Sequence, residues 1–81
     1  MTIRRKVIGA VDGDTLYVRN KIRGTNYIRL AGTNAPERGQ YGYSVAKAQL
    51  NRLAGKTVTL VPQGRSYNRV VADVRYRRRK I

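Results

Sequence analysis

The chain carries only four acidic side chains against eighteen basic ones, and three of the acids sit where the sequence turns. Asp12 and Asp14 flank Gly13, and Glu37 follows Pro36. A protein that merely coats phosphate gains nothing from carboxylates in its loops. Grouped acids in a basic chain point instead to a metal site or a general base. Arg29 leaves a strand just ahead of the loop that holds Asn34 and Glu37. A strand cation, a loop carboxylate and an amide between them have the makings of a phosphate-processing site. Singly, each has a plainer reading. Asp12-Gly13 is a common hairpin turn. Arg29 and Arg69 suit solvated strand positions. Glu37 paired with Arg29 or Arg38 at a surface contributes little.

Composition limits the chemistry further. With 81 residues the chain is one domain, and one this small buries only about 60% of its unfolded surface. It has no cysteine and no histidine. Disulfides, Cys/His zinc sites and Cys- or His-based triads are therefore excluded. No apolar run approaches the roughly 20 residues of a membrane span. Met1 to Lys6 is basic without an apolar segment behind it, so no signal peptide is expected, and an intracellular (cytoplasmic) setting is the default. The net charge of +14 attracts polyanions, nucleic acid first. No stretch joins a basic face to a broad apolar one, which argues against a membrane surface.

These residues need a scaffold. Residues 3–11 read as a strand of mixed parity, and Thr15 to Val18 as a second strand with Leu16 and Val18 inward. Thr25 to Leu30 is a third, with Ile28 and Leu30 inward and Tyr27 and Arg29 outward. Thr33 to Gly42 is loop. Tyr43 to Ala54 is the one helix, with Ala46, Leu50, Leu53 and Ala54 as its apolar stripe, Ser44 as N-cap and Gly55 as stop. Lys56 to Val61 is a fourth strand, Pro62 to Asn68 a polar loop, and Arg69 to Arg75 a fifth strand. Residues 75–81 read as a fraying basic tail. The expectation is a mainly β (α+β) fold: a five-stranded OB-type barrel over residues 1–74 with one helix between strands 3 and 4.

Several segments, in order and at compatible spacing, resemble the staphylococcal-nuclease-like (thermonuclease) family. They are Val11-Asp12-Gly13-Asp14-Thr15, Ile28 through Glu37, Tyr41-Gly42 ahead of the helix, Gly55-Lys56, and Tyr67-Asn68-Arg69-Val70-Val71-Ala72. The resemblance spans roughly residues 7–74 and implies the same barrel. It implies hydrolysis of phosphodiester bonds in single-stranded DNA or RNA with one Ca²⁺. Asp14, position 34 and the Ala35 carbonyl match metal ligands. Glu37 matches the carboxylate that activates water, and Arg29 and Arg69 match the arginines on the scissile phosphate. Tyr67 matches a tyrosine near the nucleotide. Arg65, Arg75, Arg77, Arg78 and Arg79 are added as phosphate-contacting candidates from their charge alone.

The chain also departs from that pattern. Asn34 stands where the family has a second metal aspartate, and an amide ligates without adding charge, so Ca²⁺ is expected to bind weakly. Arg65 replaces an aspartate, and Asn68 replaces a glycine, a turn position where Asn tolerates positive φ. Longer members of the family continue into helices beyond the position of Ile81. The alternative expectation is a non-catalytic nucleic-acid-binding OB domain with a degraded metal site.

Overall fold

The computed structural model describes residues 2–81. Its elements are β1 (Ile3–Asp12), β2 (Thr15–Ile22), β3 (Thr25–Leu30), α1 (Tyr43–Asn51), β4 (Thr57–Ser66), β5 (Arg69–Tyr76) and β6 (Arg79–Lys80). The strands run in the order β3-β2-β1-β4-β5-β6, and a further β3–β5 pairing closes the first five into a barrel. That closing pair is parallel, with Ile28 against Val70, Arg29 against Val71 and Leu30 against Ala72. The result is the OB-type barrel, with its helix between β3 and β4.

Alternation builds the inside. Leu16 and Val18 of β2, Ile28 and Leu30 of β3, Val58 and Leu60 of β4, and Val70, Ala72 and Val74 of β5 all point inward and are buried. The mixed parity of β1 has a physical cause. Its register against β2 shifts between Val7 and Gly9 and again between Ala10 and Asp12. Each bulge puts an extra residue on one strand and re-aims those that follow. Val7 and Ala10, of opposite parity, therefore both meet the core, while Ile8 and Val11 stay exposed.

Several expectations are corrected. The segment 62–68 is not a loop: β4 runs on to Ser66 through a bulge between Pro62 and Gly64, leaving only Tyr67 and Asn68 as the turn. The bulge accommodates a proline that cannot donate to the ladder. The left-handed residue of that turn is Tyr67, at φ 56°, not Asn68. Residues 75–81 do not fray: β5 extends to Tyr76, and Arg79–Lys80 turn back to pair with it. Asp73, only 8% exposed, holds this hairpin from beneath. It pairs with Arg75 Nε at 3.0 Å and with Lys80 Nζ at 3.6 Å, and the Ile81 N–H donates to the Val74 carbonyl at 2.9 Å.

Helix α1 is shorter than its apolar stripe suggests. It ends at Asn51, and Arg52 to Ala54 continue as tighter turns bonded three residues back. Leu50 and Leu53 are buried, whereas Ala54 is exposed. Its N-cap is Gly42 in the left-handed region at φ 87°, not Ser44, and no side chain caps it. Gly13 sets how closely the helix can approach. A Cβ there would fall 2.6 Å from the Ala35 Cβ and 2.8 Å from the Ala46 Cβ. The bare turn between β1 and β2 thus lets both the 33–37 loop and α1 sit directly on the barrel rim. Asn51 ties the far end of the helix to β1, its Oδ1 accepting from the Ala10 N–H at 2.8 Å.

Candidate active site

The β1–β2 turn is built by its own side chains. The Asp14 N–H donates to Asp12 Oδ1 at 3.1 Å, an Asx-type turn that fixes both carboxylates at the strand tips. Thr15 follows, 2% exposed. Its hydroxyl donates to Asp14 Oδ1 at 3.2 Å and accepts from Arg69 Nη1 at 3.1 Å. On the other side of Asp14, Arg29 Nη2 lies 3.5 Å from Asp14 Oδ2 and donates to Asn34 Oδ1 at 3.1 Å. Arg29 Nη1 donates to the Leu30 carbonyl at 3.0 Å. A continuous polar chain therefore runs Arg69–Thr15–Asp14–Arg29–Asn34, crossing from β5 over β2 and β3 into the loop. The register explains it: β2–β3 pairing sets Thr15 opposite Arg29, and the parallel β3–β5 pairing brings Arg69 to the same outer face.

These groups border a cavity of about 610 Å³ lined by Asp12, Asp14, Arg29, Ala35, Glu37 and Arg69, with Val11, Pro36, Arg38 and Tyr43 completing its wall. Glu37 enters from the loop. Its N–H donates to the Gln40 side-chain carbonyl at 2.7 Å, and the Gln40 N–H donates back to the Glu37 carbonyl at 2.9 Å. The backbone is thus pinned while, among the described residues, the carboxylate forms no ion pair. The pairing of Glu37 with Arg29 or Arg38 that a bland surface loop would show is not formed.

Asp12 and Asp14 form a coupled pair with opposite shifts. For Asp14, burial, then a hydrogen bond to Asp12 and the Asp12 charge, outweigh Arg29 and Thr15 and raise its pKa above the ordinary 3.8. Asp12 is also penalised by burial. Hydrogen bonds from the Asp14 side chain and backbone, then from Thr15, with the Arg69 cation, more than offset that and lower its pKa. One carboxylate is held ready to ionise while its neighbour resists.

The oxygens of Asp12, Asp14 and Asn34 are hard donors of the kind Ca²⁺ takes. The donor types suit a hard cation, but Asp14 and Asn34 both converge on one nitrogen of Arg29, which stands between them. Among the described residues, no three acidic groups stand close enough to hold a metal ion together.

Of the residues singled out in the sequence, Asp14, Arg29, Glu37, Arg69 and Ala35 meet at this cavity, and Asn34 joins through Arg29. The other basic candidates do not. Arg65 Nη1 donates to the Arg23 carbonyl, Arg75 is taken by Asp73, and Arg77 lies over the Tyr76 ring at 5.4 Å. Arg78 and Arg79 are exposed on the terminal hairpin, and Tyr67, 93% exposed, projects from the β4–β5 turn. Asp12 and Thr15 belong to the site but were not among the residues assigned roles there. Their signal lay in the Asp12-Gly13-Asp14-Thr15 string itself, because a turn that places one carboxylate places its neighbours too. Compared with known proteins, the chain matches no protein-family model and no curated protein.

Proposed function

We propose that the protein is a metal-dependent nuclease that hydrolyses phosphodiester bonds of single-stranded DNA or RNA, with Ca²⁺ as its ion. The observation that carries this reading is convergence. Asp14, Arg29, Glu37 and Arg69 come from four separate segments and line one cavity. Arg29 and Arg69 each present unused N–H donors beside the ones already engaged, in the planar fork that suits phosphate. Attack on phosphorus builds charge on the non-bridging oxygens, and fixed guanidinium groups favour that more charged state. Glu37 removes a proton from the attacking water, which forms the new P–O bond as the ester P–O bond breaks. The departing oxygen takes a proton from solvent. Bound at Asp14, Asn34 and the Ala35 carbonyl, Ca²⁺ would add positive charge at the phosphate and lower the pKa of a coordinated water.

The test is cleavage of end-labelled single-stranded DNA and RNA, in Ca²⁺ and in chelator, with Glu37→Gln alongside the parent. Ca²⁺-dependent cutting that Glu37→Gln reduces by roughly 10²–10⁴-fold is the expected result. Equal cutting by both proteins would remove Glu37 from the role of base.

A second reading is favoured by one specific feature. Arg29 already satisfies Asp14 and Asn34, and the three carboxylates of the cavity face three guanidinium groups, so no net negative charge calls for a cation. On that reading the barrel binds single strands without cutting them. Tight binding, identical with and without Ca²⁺ and with no product, would establish it.

A further inference from the structure

Beside the phosphate cavity lies a smaller one of about 250 Å³, walled by Val11, Asp12, Thr15, Tyr27, Asn68 and Arg69. Val11, Asp12 and Arg69 line both spaces, so the two are direct neighbours. We propose that the smaller cavity is a nucleobase subsite, in which the base next to the phosphate held by Arg69 stacks on Tyr27. The inference rests on the larger cavity being a phosphate site, and it specifies the substrate as a strand with an unpaired base.

Register places the ring. Ile28 pairs with Val70 in the closing parallel ladder, so Tyr27 and Arg69, one residue earlier on each strand, stand side by side on the outer face. Across the other edge, Tyr17 pairs with Tyr27, and their rings meet edge to face at 5.3 Å and 77°. That contact braces Tyr27, so little ordering remains to be done when a base arrives. Val11, bulged out of β1 and 40% exposed, supplies an aliphatic surface at the same cavity that the core does not use. Asn68 and Asp12 offer amide and carboxylate groups that can meet the polar edge of a base. The volume is below the roughly 300–1,000 Å³ of sites for drug-sized ligands, which suits one flat ring rather than a base pair. An aromatic platform beside a cationic phosphate grip is the general means of holding single strands without reading sequence.

The experiment measures binding by fluorescence anisotropy in chelator, where cleavage plays no part. The probes are a labelled eight-nucleotide oligothymidylate and a sugar-phosphate strand of equal length without bases. The parent, Tyr27→Phe and Tyr27→Ala are compared after each is shown to melt cooperatively. Tyr27→Leu, which keeps bulk on the sheet without an aromatic face, stands in if the alanine variant does not fold. The expected result is that the parent and Tyr27→Phe favour the base-bearing strand by roughly tenfold more than the alanine or leucine variant does. All of them should bind the baseless strand alike. The subsite is overturned if the non-aromatic variant keeps the parent's preference, or if the parent binds both strands equally. Base-dependent binding through Tyr27 by a protein that never cuts would keep the subsite and sink the nuclease reading. Ca²⁺-dependent cutting with an unchanged strand preference in the non-aromatic variant would do the reverse.

Discussion

Asp12 and Asp14 carry the same functional group two residues apart, yet the surroundings drive their pKa values in opposite directions. Burial is the largest cause that raises Asp14, and Asp12 adds to it through a hydrogen bond and its charge. Asp12→Asn should therefore lower the Asp14 pKa, so that its carboxyl ionises at a lower pH than in the parent. Carboxyl ¹³C shifts followed through the titration check this, and an unmoved Asp14 midpoint would refute the coupling. The pair also has opposite signs in stability. Asp12, depressed on folding, contributes stability that is present above its unfolded pKa and lost as pH falls through its folded value. Asp14, raised on folding, contributes below its unfolded pKa and loses that contribution as pH rises through its folded value. At this scale the sequence was informative about charge type and blind to environment. Asp14 and Glu37 could be placed at a site from their neighbours in the chain. That Arg29 would bind Asp14 and Asn34 rather than Glu37 depends on β2–β3 register, which no local string encodes.

The elements that carry the site were legible where alternation was clean. β2, β3 and β5 show it plainly, and their inward residues lie where the period of two puts them. In β1 two bulges mix the faces, and in β4 alternation places Val58 and Leu60 inward but gives no sign that the strand runs on to Ser66 through the bulge between Pro62 and Gly64. Legibility also failed at the C-terminal hairpin, where basic composition suggested disorder but a buried carboxylate supplies the anchor. Asp73→Ala should release that anchor. Amide exchange of Ile81, whose N–H reaches back to Val74, is then expected to lose its protection while Leu60 and Val70 keep theirs. Protection retained at Ile81 would show that backbone pairing alone suffices. Gly13 is the joint between barrel, loop and helix. Gly13→Ala forces a methyl against Ala35 and Ala46, an overpacking that costs about 1–3 kcal/mol. Denaturant unfolding reads that loss. Because Ala35 lies two residues before Glu37, cleavage should fall by more than stability alone explains when assayed well below the melting temperature.

The whole molecule spreads a charge of +14 over a small barrel, so long-range attraction precedes any contact at the cavity. Affinity for single strands should fall linearly with log salt, at about 0.7 per phosphate neutralised. Replacing Arg77, Arg78 and Arg79 by alanine should flatten that slope by roughly 2 if each meets a phosphate. An unchanged slope, measured by anisotropy between low and high salt, would confine the electrostatic footprint to the barrel face. The closing ladder between β3 and β5 has a consequence in time as well as in space. It joins Ile28 to Val70, a non-local contact of the kind that forms late because a long loop must first be closed. Arg29 and Arg69 come together only across that ladder. During synthesis the chain therefore displays Asp14 and Arg29 well before Arg69 emerges. The complete constellation should exist only once the barrel has shut, so an unfinished chain carries its parts without the site.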